Sequence, residues 1–175
     1  MPTELIIREI EPSDNVTGLS LGDKKFIPLK TFLKRDAKPF HKANIAKTYC
    51  LVEPDQSPSR IWGYITLLCS EIKIENCQRP NDCANMRYDS YPAVKIARLA
   101  IDKEVKGNDL GTSLVDFSVS LVQDEIMPKI GCRFLVVDSK KDALEFYQKV
   151  GFTMLDTENN KHAEHPILFM DLHKL

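Results

Sequence analysis

ELIIREIE (residues 4–11) reads as a strand, and apolar and polar residues alternate in KTYCLV (47–52) and IWGYITLLCSEIKI (61–74), the period of two that turns one side of a strand toward a core. The first of these ends at the cluster Pro12-Ser13-Asp14-Asn15, and the other two read as an antiparallel pair joined by a turn over Pro54–Arg60. Between them, from Leu21 to Ala46, the period lengthens to that of a helix, with Phe26, Leu29, Phe32 and Leu33 on one face. Pro28 and Pro39 are expected to divide this stretch into one or two short helices.

Glu75–Ser90 is polar, shows no period and reads as a loop. Beyond it, Tyr91–Asp102 predicts a strand, and Leu110 to about Met127 a helix stopped by Pro128. Cys132–Asp138 is an apolar run of the kind that forms a buried parallel strand, and Asp142–Val150 is a short helix. Phe152–Asp156 and Ile167–Leu172, the latter entered through Pro166, complete a sheet. The order β-α-α-β-β-β-α-β-α-β-β predicts one three-layer mixed α/β domain over residues 1–175.

Composition adds bounds. Hydrophobic residues at 43% and charged residues at 28% fit a globular chain, not a disordered one. No run approaches the ~20 apolar residues of a membrane helix, and acids stand where a secretory leader would be basic, so a cytoplasmic protein is expected. Five cysteines (50, 69, 77, 83 and 132) lack Cys-x-x-Cys spacing and read as reduced thiols; a metal site on Cys77, Cys83 and a histidine fits no zinc pattern, so no metal is expected. The net charge is only −1, but Lys24, Lys25, Lys30, Lys34, Arg35, Lys38, Lys42 and Lys47 face the single acid Asp36 in one segment. Such a run is either a solvated helix face or a docking surface for a polyanion such as RNA.

The candidate chemistry centres on ARLAIDKEVKGNDLGT, residues 97–112. A strand that enters a loop containing Gly107 and Gly111 and opens into a helix forms an anion site. The first helical N–H groups lack internal partners there and carry the positive end of the dipole. The expected guest is a phosphate or pyrophosphate.

This stretch resembles the coenzyme A loop of the GNAT N-acetyltransferases, Arg/Gln-x-x-Gly-x-Gly/Ala after an Arg-Leu-Ala-Val-Asp-like strand. Arg98-Leu99-Ala100-Ile101-Asp102 and Gly111 match it, whereas Lys106 replaces the Arg or Gln and Asp109 the first Gly. Trp62-Gly63-Tyr64 resembles the glycine and aromatic of the family's third strand. Val136-Val137-Asp138-Ser139, followed by Ala143, Phe146-Tyr147 and Gly151-Phe152, resembles its C-terminal signature.

The resemblance implies a GNAT-like fold, a mixed and mostly antiparallel sheet flanked by helices with a central splayed strand pair. It implies transfer of an acetyl group from acetyl-CoA to a primary amine. Coenzyme contacts are expected from Leu99, Ala100, Ile101, Lys106, Gly107, Asn108, Asp109, Leu110, Gly111, Thr112, Asp138, Ala143 and Phe146. A backbone N–H near Leu99–Ile101 would polarise the thioester carbonyl. Tyr147 stands where the family places the acid that protonates the departing thiolate. Glu71, Glu75, Asp138 and His165 are the candidate bases. In length, in the basic stretch before a strand like KTYCLV and in the Val-Asp and Phe-Tyr segments, the chain also resembles the subgroup of toxins that acetylate aminoacyl-tRNA. That leaves tRNA, an antitoxin and a second copy of the chain open as partners. A non-catalytic acyl-CoA-binding module is the alternative that Asp109 favours and Tyr147 opposes.

Overall fold

The computed structural model describes residues 2, 4–75 and 78–174. Its strands are β1 (Ile6–Glu9), β2 (Lys47–Val52), β3 (Gly63–Lys73), β4 (Ser90–Ile101), β5 (Phe134–Asp138), β6 (Thr153–Met154) and β7 (Ile167–Asp171). They form one mixed sheet in the order β1-β2-β3-β4-β5-β7-β6. The helices are α1 (Ile27–Arg35), α2 (Ala37–Lys42), α3 (Leu110–Leu121, continued by a π turn over Val122–Ile126), α4 (Leu144–Lys149) and α5 (Glu158–Lys161). Pairing is antiparallel for β1 with β2 and β2 with β3, parallel for β4 with β5, and antiparallel for β7 with β5 and β6. The β4–β5 register runs from Ala93↔Phe134 to Ile96↔Val137 and stops there, while β4 continues to Ile101. Contacts group the chain into two compact units, residues 1–68 with 97–117, and residues 69–96 with 118–175.

The first unit is built around Phe32 and Leu33 of α1. They pack with Cys50, Val52, Ile61, Tyr64 and Ala100, and Phe26 and Leu29 close the same face. The break between the helices falls at Asp36, not at a proline. Pro28 and Pro39 instead lie in the first turns of α1 and α2, where the missing N–H has no intrahelical carbonyl to bond. Arg8 grips the buried Asp14 with two bonds of 2.7 and 2.9 Å, and Lys38 reaches the carbonyls of Pro12 and Asp14 at 2.7 Å each.

Gly63 shows why this position lacks a side chain. A Cβ there would meet Ile101 Cδ1 at 2.8 Å, and the Ala100 carbonyl and Leu51 Cδ1 at 3.0 Å. Gly63→Val is therefore expected to cost at least about 2 kcal/mol through overpacking. Urea unfolding measures the loss, and an unchanged midpoint would mean that the contact with β4 is not tight.

The second unit packs Ile72, Ile74, Tyr91, Phe134, Val136, Leu155 and Phe169 together. Arg133 joins the start of β5 to the end of β7 through Asp171 (2.6 and 2.9 Å) and to the loop before β4 through Asp82 (2.7 and 3.0 Å). These charged, bidentate bonds hold both carboxyls below their usual range, against the desolvation that burial imposes on Asp171. Among the described residues, no helix is long and apolar enough to cross a membrane. Cys50, Cys69, Cys83 and Cys132 are free thiols, and Cys77 lies outside the described residues. No group of three or more His, Cys, Asp or Glu side chains among the described residues is placed to hold a metal.

Candidate active site

In the first unit, the chain leaves β4 at Asp102, whose fully buried carboxylate organises the loop beyond it. It accepts from the N–H of Glu104 (3.0 Å), capping the 3-10 turn Lys103–Val105, from the N–H of Ser20 (2.8 Å), and from Arg60 (3.3 Å). Its own N–H donates to the Trp62 carbonyl at 2.8 Å, and that of Lys103 to the Ser20 carbonyl at 2.7 Å. The aspartate of the strand motif is thus a structural anchor that sets the starting position of the loop.

Lys106, Gly107, Asn108 and Asp109 are exposed, and Leu110, Gly111 and Thr112 form the half-buried first turn of α3. Gly107 has φ +87° and no atom within 4 Å of where a Cβ would stand. Asn108 donates to the Val105 carbonyl at 3.1 Å, and the Ser113 N–H donates to the Asp109 carbonyl at 3.0 Å, the first bond of α3. Asp109 has φ +53°, in the left-handed region that favours glycine and that aspartate tolerates better than most residues. That explains why the pattern places glycine here and how the substitution is accommodated. Lys106 sits over the Phe26 ring, 5.1 Å from its centroid. Leu99 and Ile101 are half-buried and Ala100 is buried.

In the second unit, Tyr147 lies on α4 with 7% of its surface exposed. Phe146 and Phe152 meet its ring edge-on, at centroid distances of 5.0 and 5.5 Å. Burial pushes its phenol well above its ordinary value of 10.0, so the group stays protonated. No described residue hydrogen-bonds the hydroxyl. Ala143, half-buried, precedes α4 as its N-cap. Asp138 ends β5 in an ion pair with Lys95. Of the four candidate bases, Glu75 also is paired, with Lys73 at 3.2 Å, while Glu71 and His165 are exposed.

The first unit thus holds a strand, a glycine loop and a helix N-terminus, and the second a buried, protonated phenol, the separate parts that acyl transfer from a thioester calls for. Residues 83–173 match the family model for the acetyltransferase (GNAT) domain, and the chain belongs to the GNAT acetyltransferases. It is an acetyl-CoA-dependent N-acyltransferase. Similar solved structures include a tyrosine-to-phenylalanine mutant of KacT, 30% identical, with a TM-score of 0.84 over 98% of this chain and 97% of that one. A KacTA–DNA complex is also 30% identical, with a TM-score of 0.76 over 98% and 95%. AtaT complexed with acetyl-methionyl-tRNAfMet shares the fold at 23% identity, with a TM-score of 0.83 over 98% and 96%.

Proposed function

We propose that the acceptor is the α-amino group of an aminoacyl-tRNA and that the chain is the toxin of a toxin–antitoxin pair acting in the cytoplasm. The observation that carries the reading is the exposed, unpaired cationic surface of α1 and α2. Lys34, Arg35 and Lys42 are exposed, and among the described residues none is bonded to a carboxylate, on a chain whose net charge is only −1. A small amine would need no such surface. KacT at 30% identity and AtaT with its acetylated tRNA point the same way. Lys38 does not belong to this surface, because its ammonium is committed to the carbonyls of Pro12 and Asp14.

In this reading the amides of Lys106–Thr112 hold the coenzyme pyrophosphate, with Lys106 adding positive charge. A backbone N–H of Leu99–Ile101 polarises the thioester, and Asp138, Ala143 and Phe146 border the coenzyme. Tyr147 gives its proton to the departing thiolate. Acetyl-CoA is the acyl donor. An α-amino group, with a pKa of about 7.7–8.0, is already partly neutral near pH 7.5, so attack needs no strong base. A lysine side chain near 10.4 would need one, and two of the four candidate bases are carboxylates held in ion pairs with lysines.

The test compares acetylation of charged tRNA with that of a free amine. The variant Lys34→Gln/Arg35→Gln/Lys42→Gln is expected to lose about tenfold or more in kcat/KM on tRNA and nothing on the free amine, with the loss shrinking as salt rises. Absence of tRNA acetylation by the wild type would overturn the reading.

A further inference from the structure

We infer that a cavity beside the start of α1 is a phosphate-binding site, and that it seats a backbone phosphate of the acceptor RNA. The inference rests on the aminoacyl-tRNA reading and assigns that reading a specific place on the protein. The cavity measures about 260 Å³ and lies wholly within the first unit. Three lysines, Lys24, Lys30 and Lys103, line it from three separate segments: a 3-10 turn, α1 and the loop after β4.

The charges around the cavity are unevenly satisfied. Asp23 also lines it, but its carboxylate accepts the Lys25 N–H at 2.9 Å. Asp102 is occupied by Ser20, Glu104 and Arg60, and Glu104 itself pairs with Arg60 at 3.2 Å. Among the described residues, by contrast, no side-chain partner is bonded to Lys24, Lys30 or Lys103. Three lining lysines against the single lining carboxylate of Asp23 leave the cavity net positive. Three lysines around one concave surface raise its positive potential, which an anion bound there would lower.

The walls are fixed in shape. Ser20 and Lys103 are tied by the 2.7 Å bond between their backbones, and the Ser20 N–H is held by Asp102. Phe26, another lining residue, carries Lys25 and Lys106 over its ring at 5.0 and 5.1 Å. A cavity of this size admits one phosphate group with room for its hydration.

An RNA backbone fits better than an isolated phosphate because the charge does not stop at the cavity. Lys34 lies one helical turn beyond Lys30 on the same exposed face of α1, about 6 Å further along the axis, and Arg35 is the next residue. The cavity is thus the end of a cationic track, and a strand of linked phosphates is the ligand that uses both.

The experiment titrates deacylated tRNA and, separately, coenzyme A into wild type and Lys24→Gln/Lys30→Gln/Lys103→Gln over a range of KCl. A charge-matched control removes Lys129, Lys161 and Lys174 by the same substitution. The cavity variant is expected to bind tRNA at least about tenfold more weakly at low salt, with a log–log salt slope shallower by about 2 to 3. The control is expected to lose much less, and coenzyme A affinity is expected to be unchanged. Equal losses in the cavity variant and the control, or a loss confined to coenzyme A, overturns the site. If wild type binds no tRNA, the acceptor reading falls with it; if wild type acetylates charged tRNA and the cavity variant matches it, the site alone falls.

Discussion

Tyr147→Phe is expected to lower turnover by about 10²- to 10⁴-fold while leaving coenzyme A affinity nearly intact. The substitution removes one hydroxyl that no described residue bonds, and it keeps the ring that packs against Phe146 and Phe152. A tyrosine used only for packing would lose nothing measurable in rate. The pH profile supplies a second check. Burial raises the phenol above its ordinary 10.0, so the acid stays protonated and any fall in rate from its ionisation lies above pH 10. The rise in rate on the acidic side belongs to the acceptor amine, which must lose a proton to attack, and it should survive in the phenylalanine variant. Pre-steady-state acetyl transfer in both proteins decides the matter, and an unchanged rate would assign the proton to solvent.

The readings that came directly from sequence are those that depend on neighbours along the chain. KTYCLV is β2 from Lys47 to Val52 because its alternation buries Thr48 and Cys50 on one side. The face shared by Phe26, Leu29, Phe32 and Leu33 arises in the same way from the spacing of α1. What stayed hidden depends on distant partners or on very short elements. Lys38 counts as one more cation until the chain returns Pro12 and Asp14 to its ammonium. Asp102 reads as the end of a strand motif, and its grip on Ser20 spans 82 positions. The four-residue α5 is too short to show a period. It forms because Thr157 caps it and because the buried Asn160 bonds the carbonyls of Leu155 and Ile167 and the N–H of Ile167.

The loop proposed to hold the coenzyme yields the other large effect, and it comes as a pair of opposite sign. Gly111 lies in the first turn of α3, whose unpartnered amides hold the coenzyme phosphates in the proposed reading. Gly111→Glu adds bulk and a negative charge there, and it is expected to weaken coenzyme A binding at least about a hundredfold, or roughly 2.7 kcal/mol. Asp109→Gly works in the other direction. It removes a carboxylate from the loop and fills a φ of +53° with the residue that adopts it freely. Relief of backbone strain and the greater freedom of the unfolded chain nearly cancel in stability, so the gain should show in affinity instead, about three- to tenfold from one screened repulsion. Calorimetric titration of both variants, with circular dichroism to confirm that α3 persists, measures the pair. Wild-type affinity in Gly111→Glu would move the pyrophosphate away from this loop. Weaker binding in Asp109→Gly would mean that the carboxylate accepts a hydrogen bond from the coenzyme, which would turn the departure from the family pattern into a contact.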